Sequence, residues 1–244
     1  MPCPLEQTLI VMPAFNEEVA VGAVVREVLA KLPGVHVVVV DDGSVDSTAE
    51  VAAAAGAIVL DLPFNLGVGG AMRTGFKYAV RHGYRYVVQV DSDGQHDPGS
   101  VPEILDALRD VDIAIGARFA GEGDYSVTGP RKWAMSVLAL TVSRIARTRL
   151  TDTTSGFRGA GPRAVEYFAE HYPAEYLGDT VESLVMAAKS GLTMRQVPVS
   201  MRPRAGGVPS HNPVKATVFL GRAAMALIVA LARPSYKTRE VASS

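Results

Sequence analysis

Short aliphatic runs alternate along the first half of the chain with longer segments whose apolar residues recur at helical spacing. Thr8 to Met12, Val35 to Val40, Ala57 to Leu60, Val87 to Val90 and Asp112 to Gly116 are nearly continuous in apolar character. Such runs suit strands buried on both faces of a parallel sheet. Between them, Val19, Val24, Val25 and Val28 predict a first helix, and Ala49 to Ala55, closed by Gly56, a second. A third runs through Tyr78 and Val80, and a fourth spans Pro102 to Leu108. The alternation predicts an α/β fold with a mostly parallel central sheet and helices on both faces. Asn16 is placed to cap the first helix, with Glu17 and Glu18 in its first turn, and Asp46 to cap the second.

The pattern changes after Gly116. A helix from Arg131 to Arg149, a polar loop or short strand at Asp152 to Arg158, helices at Pro162 to Glu170 and Asp179 to Ser190, and a strand at Met194 to Val199 follow. Arg202 to His211 is basic and glycine-rich, and Val214 to Ala232 is an apolar helix interrupted by Lys215 and Arg222.

The fourth strand stops abruptly at Asp91-Ser92-Asp93-Gly94-Gln95. Open α/β sheets bind ligands at the carboxyl ends of their strands. Asp91, Asp93 and Gln95 are hard oxygen donors, suited to Mg²⁺ or Mn²⁺ rather than zinc. Taken alone, the two aspartates also fit an ordinary turn, because Asp and Gly are turn formers. The second strand ends likewise in Asp41-Asp42-Gly43-Ser44, and the fifth ends at Arg118 on the same side.

Composition narrows the classes. With 244 residues, 48% hydrophobic and 20% charged, the chain is long enough for one well-cored domain and is not compositionally disordered. A net charge of −1 speaks against a nucleic-acid partner. The single cysteine, Cys3, excludes an internal disulfide and a cysteine-based zinc site. No signal-peptide pattern opens the chain, so a cytoplasmic location is expected. Ala216 to Ala232 is shorter than the ~20 apolar residues a spanning helix needs, and it contains Arg222. That helix is expected in the core, on a second copy of the chain as a homodimer, or peripherally on the inner membrane face. Trp133 beside Arg131 and Lys132 suits an interfacial contact.

Six motifs occur in register: Pro13-Ala14-Phe15-Asn16-Glu17, Val40-Asp41-Asp42-Gly43-Ser44-Val45-Asp46, Asn65-Leu66-Gly67-Val68-Gly69, Asp91-Ser92-Asp93-Gly94-Gln95, Gly116-Ala117-Arg118-Phe119 and Asp152-Thr153-Thr154-Ser155-Gly156-Phe157-Arg158. The series resembles glycosyltransferase family 2 with its GT-A (Rossmann-like) fold, and is most similar to dolichyl- and polyprenyl-phosphate sugar synthases. The resemblance implies one domain over residues 1–232: a nucleotide-sugar half (1–120), an acceptor half (121–213) and an apolar C-terminal helical extension (214–232), followed by a tail at 233–244. It further implies metal-dependent, inverting transfer of a hexose from a GDP- or UDP-sugar to a polyprenyl or dolichyl phosphate. The alternative is a saccharide or small-molecule hydroxyl acceptor.

By the same resemblance, Pro13, Phe15, Glu17, Val40, Asp41 and Asp42 form the nucleoside cleft. Asp91, Asp93 and Gln95 hold Mg²⁺ or Mn²⁺, Asp93 and Gln95 most directly, and Ser92 presents its backbone to ribose or sugar. Arg118 meets phosphate or sugar, and Arg202 and Arg204 close over the diphosphate. Phe15 departs from the family's usual tyrosine. Gly207-Val208-Pro209-Ser210-His211 departs from the family's frequent Gly-x-Ser-Lys or Gly-x-Ser-Ser ending, and Lys215 is a candidate substitute for the missing lysine. A hydroxyl acceptor needs a general base, with Asp152, Asp179 and Glu182 as candidates. The last two share one helical face. A phosphate acceptor needs no base, and Arg131, Lys132 and Arg158 are candidates to hold it. Gly67-Val68-Gly69-Gly70 is not a dinucleotide fingerprint, because Met72 stands where the third glycine belongs. The acidic first loop also argues against a nucleotidyltransferase.

Overall fold

The computed structural model describes residues 5–118, 139–174, 179–200 and 202. Among these residues seven strands, β1 (Thr8–Ala14), β2 (His36–Asp41), β3 (Ile58–Asp61), β4 (Tyr86–Gln89), β5 (Ile113–Arg118), β6 (Arg158–Ala160) and β7 (Met194–Val199), form one sheet. Their order is β3-β2-β1-β4-β6-β5-β7. β6 runs antiparallel to both neighbours, and every other pair is parallel. The helices are α1 (Val21–Lys31), α2 (Thr48–Ala54), α3 (Gly67–Arg81), α4 (Val101–Ala107), α5 (described over 139–146), α6 (Pro162–His171) and α7 (Asp179–Lys189).

Side chains of a strand alternate between faces, so each buried strand feeds two cores. Leu9 and Val11 of β1 pack with Val38, Val87 and Ile115 under α3, α6 and α7. Ile10 and Met12 pack with Val37, Val39 and Val88 under α1, α2 and α4. This double burial explains why the strands read as unbroken apolar runs. Phe76 of α3 meets Phe168 and Tyr172 at ring-centroid distances of 5.1 and 5.4 Å, joining the first half of the chain to the later helices.

Two local expectations are corrected. Asn16 does not cap α1, which begins at Val21 behind Ala20 with no side-chain cap. Asn16 instead takes a left-handed φ of 56°. Its Oδ1 accepts from Val45 N–H at 3.0 Å, and its own N–H donates to Ser44 Oγ at 2.9 Å. Glu18 likewise leaves α1 and accepts the Ser47 N–H at the start of α2. Bonds between the two loops outcompete the local cap. Of the Asp152–Arg158 segment, only Arg158 enters a strand. The expected helix at 131–149 is described only at its C-terminal end, and that at 214–232 lies outside the described residues.

Candidate active site

Because β1, β2, β4 and β5 point the same way, Ala14, Asp41, Gln89 and Arg118 end at one sheet edge. Ser92, just past β4, is buried and its hydroxyl donates to the Pro13 carbonyl at 3.1 Å, tying the β4 loop to the end of β1. Asp93 Oδ1 accepts the N–H of Gln95 at 3.0 Å, and Gly94 between them has a φ of 77° that an L side chain resists. The turn therefore brings the Asp93 carboxylate and the Gln95 main chain together before any ligand arrives.

Asp91 is gripped from several sides. Gln89 Nε2 donates to its Oδ1 at 3.2 Å, and its backbone N–H donates to His96 Nδ1 at 3.0 Å. His96 Nε2 lies 3.5 Å from its Oδ2. Among the described residues no three His, Cys, Asp or Glu side chains form a metal cluster. The set to test is therefore two carboxylates and one amide, whose hard oxygens fit Mg²⁺ or Mn²⁺.

The β2 loop is folded by its own acids. Asp41 is buried, and its Oδ1 accepts from Ser44 N–H at 3.0 Å and Ser44 Oγ at 2.5 Å. Asp42 is also buried, and its two oxygens accept the N–H groups of Leu66 and Gly67 at 2.7 and 2.8 Å. Burial pushes Asp42 above the usual carboxylate range, the neighbouring Asp41 adds to this, and the two N–H bonds pull the other way. The Val40 side chain is fully buried in the core and can offer a ligand only its backbone. Phe15 stands 47% exposed at the rim, and Glu17 lies beside it, its N–H bonded to Thr48 Oγ1 at 2.8 Å.

Other expected site residues are bonded within the protein or fall outside the described residues. The guanidinium of Arg202 is committed to Glu27, at 2.8 and 2.9 Å, and to Asp97 at 2.8 Å. Two carboxylates, on α1 and the β4 loop, hold it there. Its backbone N–H donates to the Gln95 carbonyl at 2.9 Å, which docks it on the rim of the β4 loop. Arg158 is buried and donates to the carbonyls of Ser155, Thr180 and Thr153 and to Ser183 Oγ. It staples its loop to α7 and is not placed to hold an acceptor phosphate. Glu182 is fully buried, and Asp152 Oδ1 accepts from Thr154 N–H and Oγ1 within its own turn. The side chains of Arg118 and Asp179, and all of Arg131, Lys132 and Arg204, lie outside the described residues.

A model described as Glycosyl transferase family 2 matches residues 9–171. The chain belongs to glycosyltransferase family 2. The polyprenol monophosphomannose synthase of Mycolicibacterium smegmatis is 29% identical over 214 residues, covering 84% of this chain and 81% of that one. The undecaprenyl-phosphate mannosyltransferase of Micrococcus luteus is 29% identical over 228 residues, covering 86% and 93%. The crystal structure of glucosyl-3-phosphoglycerate synthase from Mycobacterium tuberculosis, solved with Mn²⁺, UDP and glucosyl-3-phosphoglycerate, shares the fold with a TM-score of 0.68. Identity there is 20%, over 93% of this chain and 81% of that one.

In this family 2 glycosyltransferase, sequence reading missed the supports of Asp91. The visible signal was Gln89, a polar residue closing an otherwise β-branched strand. His96 sat within a polar run, and Phe157, on whose ring it stacks, lay more than sixty positions away, so nothing local joined them to Asp91. Among the described residues no helix is long and apolar enough to cross a membrane.

Proposed function

We propose that this glycosyltransferase moves a hexose from a nucleoside diphosphate sugar to a polyprenyl phosphate, inverting the transferred carbon in one displacement. The observation that carries the donor side is the gathering of Asp91, Asp93 and Gln95 at one strand end, with Asp41 at the end of β2 and Phe15 just past β1 on the same edge. Held by Asp91, Asp93 and Gln95, Mg²⁺ or Mn²⁺ would act as a Lewis acid on the departing diphosphate. Pro13, Phe15, Glu17 and Asp41 line the nucleoside side, with apolar contact from Phe15 and hydrogen-bond acceptance from the acids. Ser92, locked to Pro13, keeps the main chain between the two aspartates in place for ribose or sugar.

A phosphate acceptor is favoured by the condition of two of the three candidate bases. Glu182 is closed off from solvent, and Asp152 is folded into its own turn. An acceptor that is already anionic needs no base to deprotonate it. Two relatives named for polyprenol and undecaprenyl phosphate chemistry support the same acceptor class. Such a lipid acceptor brings the enzyme to a membrane face as a peripheral protein.

The test is a thermal-shift panel of UDP-, GDP- and dTDP-sugars with and without Mn²⁺. One sugar nucleotide should stabilise the protein only when the metal is present; no metal-dependent stabilisation by any of them refutes the donor reading. With the active donor, label should pass to a short polyprenyl phosphate, and Asp93→Ala should abolish that transfer. Transfer only to an oligosaccharide would overturn the acceptor assignment.

A further inference from the structure

We propose that His96 is a positioning residue for Asp91, setting both its main chain and its carboxylate for metal uptake; this rests on the donor-site reading above and deepens it. Three observations converge on the ring. It is 2% exposed, although it belongs to a polar, partly solvated loop. Its Nδ1 accepts the backbone N–H of Asp91 at 3.0 Å, which leaves the ring proton on Nε2. That Nε2–H faces Asp91 Oδ2 at 3.5 Å, a contact longer than a hydrogen bond and close enough for electrostatic attraction. One imidazole therefore touches Asp91 at two points and resists rotation of both its backbone and its carboxylate.

The ring is itself held. It stacks on Phe157 with a centroid distance of 4.8 Å and an interplanar angle of 13°. Phe157 is fully buried, and its carbonyl accepts the Gly116 N–H at 2.8 Å, fastening the platform to β5. On the other flank, Gln89 Nε2 meets Asp91 Oδ1, and Gly156 presses against the carboxylate so closely that a Cβ there would lie 3.0 Å from Oδ2. Groups that orient a metal-ligating side chain typically change metal affinity by about 10–100-fold when removed. A ring that merely filled the core would leave affinity unchanged when replaced by another flat ring.

The test compares the full-length wild type with His96→Phe and His96→Asn. Phe keeps the stack on Phe157 but removes the acceptor and the ring proton; the Oδ1 of Asn can again accept the Asp91 N–H. Mn²⁺ affinity is read from the free-ion electron paramagnetic resonance signal in the presence of UDP or GDP, alongside Tm and turnover. H96F should stay folded, bind Mn²⁺ about tenfold or more weakly and lose turnover in proportion, while H96N recovers much of both. Wild-type affinity in folded H96F, or no recovery in H96N, overturns the role of His96 while leaving the donor reading intact. Wild type that takes up no Mn²⁺ with either nucleotide overturns the donor reading and this role together. If H96F does not fold, the wild-type imidazole nitrogen shifts decide: an Nε2-protonated ring supports the arrangement and an Nδ1-protonated ring refutes it.

Discussion

Asp42 accepts the backbone N–H of Gly67 at 2.8 Å with one carboxylate oxygen, while its other oxygen takes the N–H of Leu66 at 2.7 Å. The carboxylate thus binds the start of α3 to the end of β2, satisfying donors that a helix leaves open and opposing the helix dipole. Asp42→Ala leaves the part-buried Leu66 N–H without its acceptor, at roughly 1–3 kcal/mol, while the Gly67 N–H keeps Asn65 Oδ1 at 3.1 Å. In a domain of this size each kcal/mol lowers Tm by about 2–4 °C. The expected outcome is a Tm loss of roughly 2–12 °C by circular dichroism. A D42A protein as stable as wild type would contradict the structural role.

Gly156→Ala should separate function from stability. A Cβ there would sit 3.0 and 3.1 Å from the two Asp91 oxygens and 3.2 Å from Gln89 Nε2. Displacing a positioned group by about an ångström can cost on the order of 100-fold in rate. Steady-state kinetics should show kcat/KM reduced about 10–100-fold, with Tm within about 2 °C of wild type.

Gly75→Ala makes the opposite division. In a helix interior alanine is favoured over glycine by about 1 kcal/mol. Here the added Cβ would lie 2.4 Å from Val11 Cγ1, and Val11 is fully buried on a central strand with β-branched stiffness. Overpacking costs about 1–3 kcal/mol, so the variant should melt lower despite its better helix propensity. Adding Val11→Ala should restore part of the Tm loss from G75A, measured as a non-additive double-mutant cycle.

Acid should weaken the junction of α1 and the β4 loop. Burial alone would raise Glu27, but hydrogen bonds from Lys31 and Arg202 outweigh it and hold the carboxyl below its usual range. Asp97 is lowered in the same way, with burial opposed by Lys31, the Gly99 N–H and the Arg202 charge. An acid depressed in the folded state contributes stability that is full above its unfolded value, near 4, and is lost as pH falls through the folded value. Asp42 has the reverse sign: its raised value costs stability at neutral pH, and that cost is relieved as pH falls. Glu27→Gln should therefore lower Tm by about 2 °C at pH 7, because its partners are partly exposed and screened. Melts between pH 3 and 7 should show the gap to wild type closing below pH 4, and closing also at high salt.

The sequence by itself determined the order of strands and helices through β5 and the acids at the sheet edge. Both signals are local: a strand buried on two faces must be apolar at consecutive positions, and a chain that stops in Asp-x-Asp announces it wherever it folds. Whether each polar side chain at that edge faces a ligand or another loop depended on partners far away in the chain. Asn16 has the right chemistry for a cap, yet Ser44 and Val45, nearly thirty residues later, supplied better-placed bonds. Asp42 became the anchor of α3, Arg158 a staple and Arg202 a partner of Glu27 for the same reason. β6, only three residues long, has too little pattern to declare that it runs antiparallel between β4 and β5. Its insertion delivers Phe157 under His96, and so sets Asp91. Only the tertiary structure could decide that, because the stack joins residues brought together by sheet pairing rather than by any periodicity along the chain.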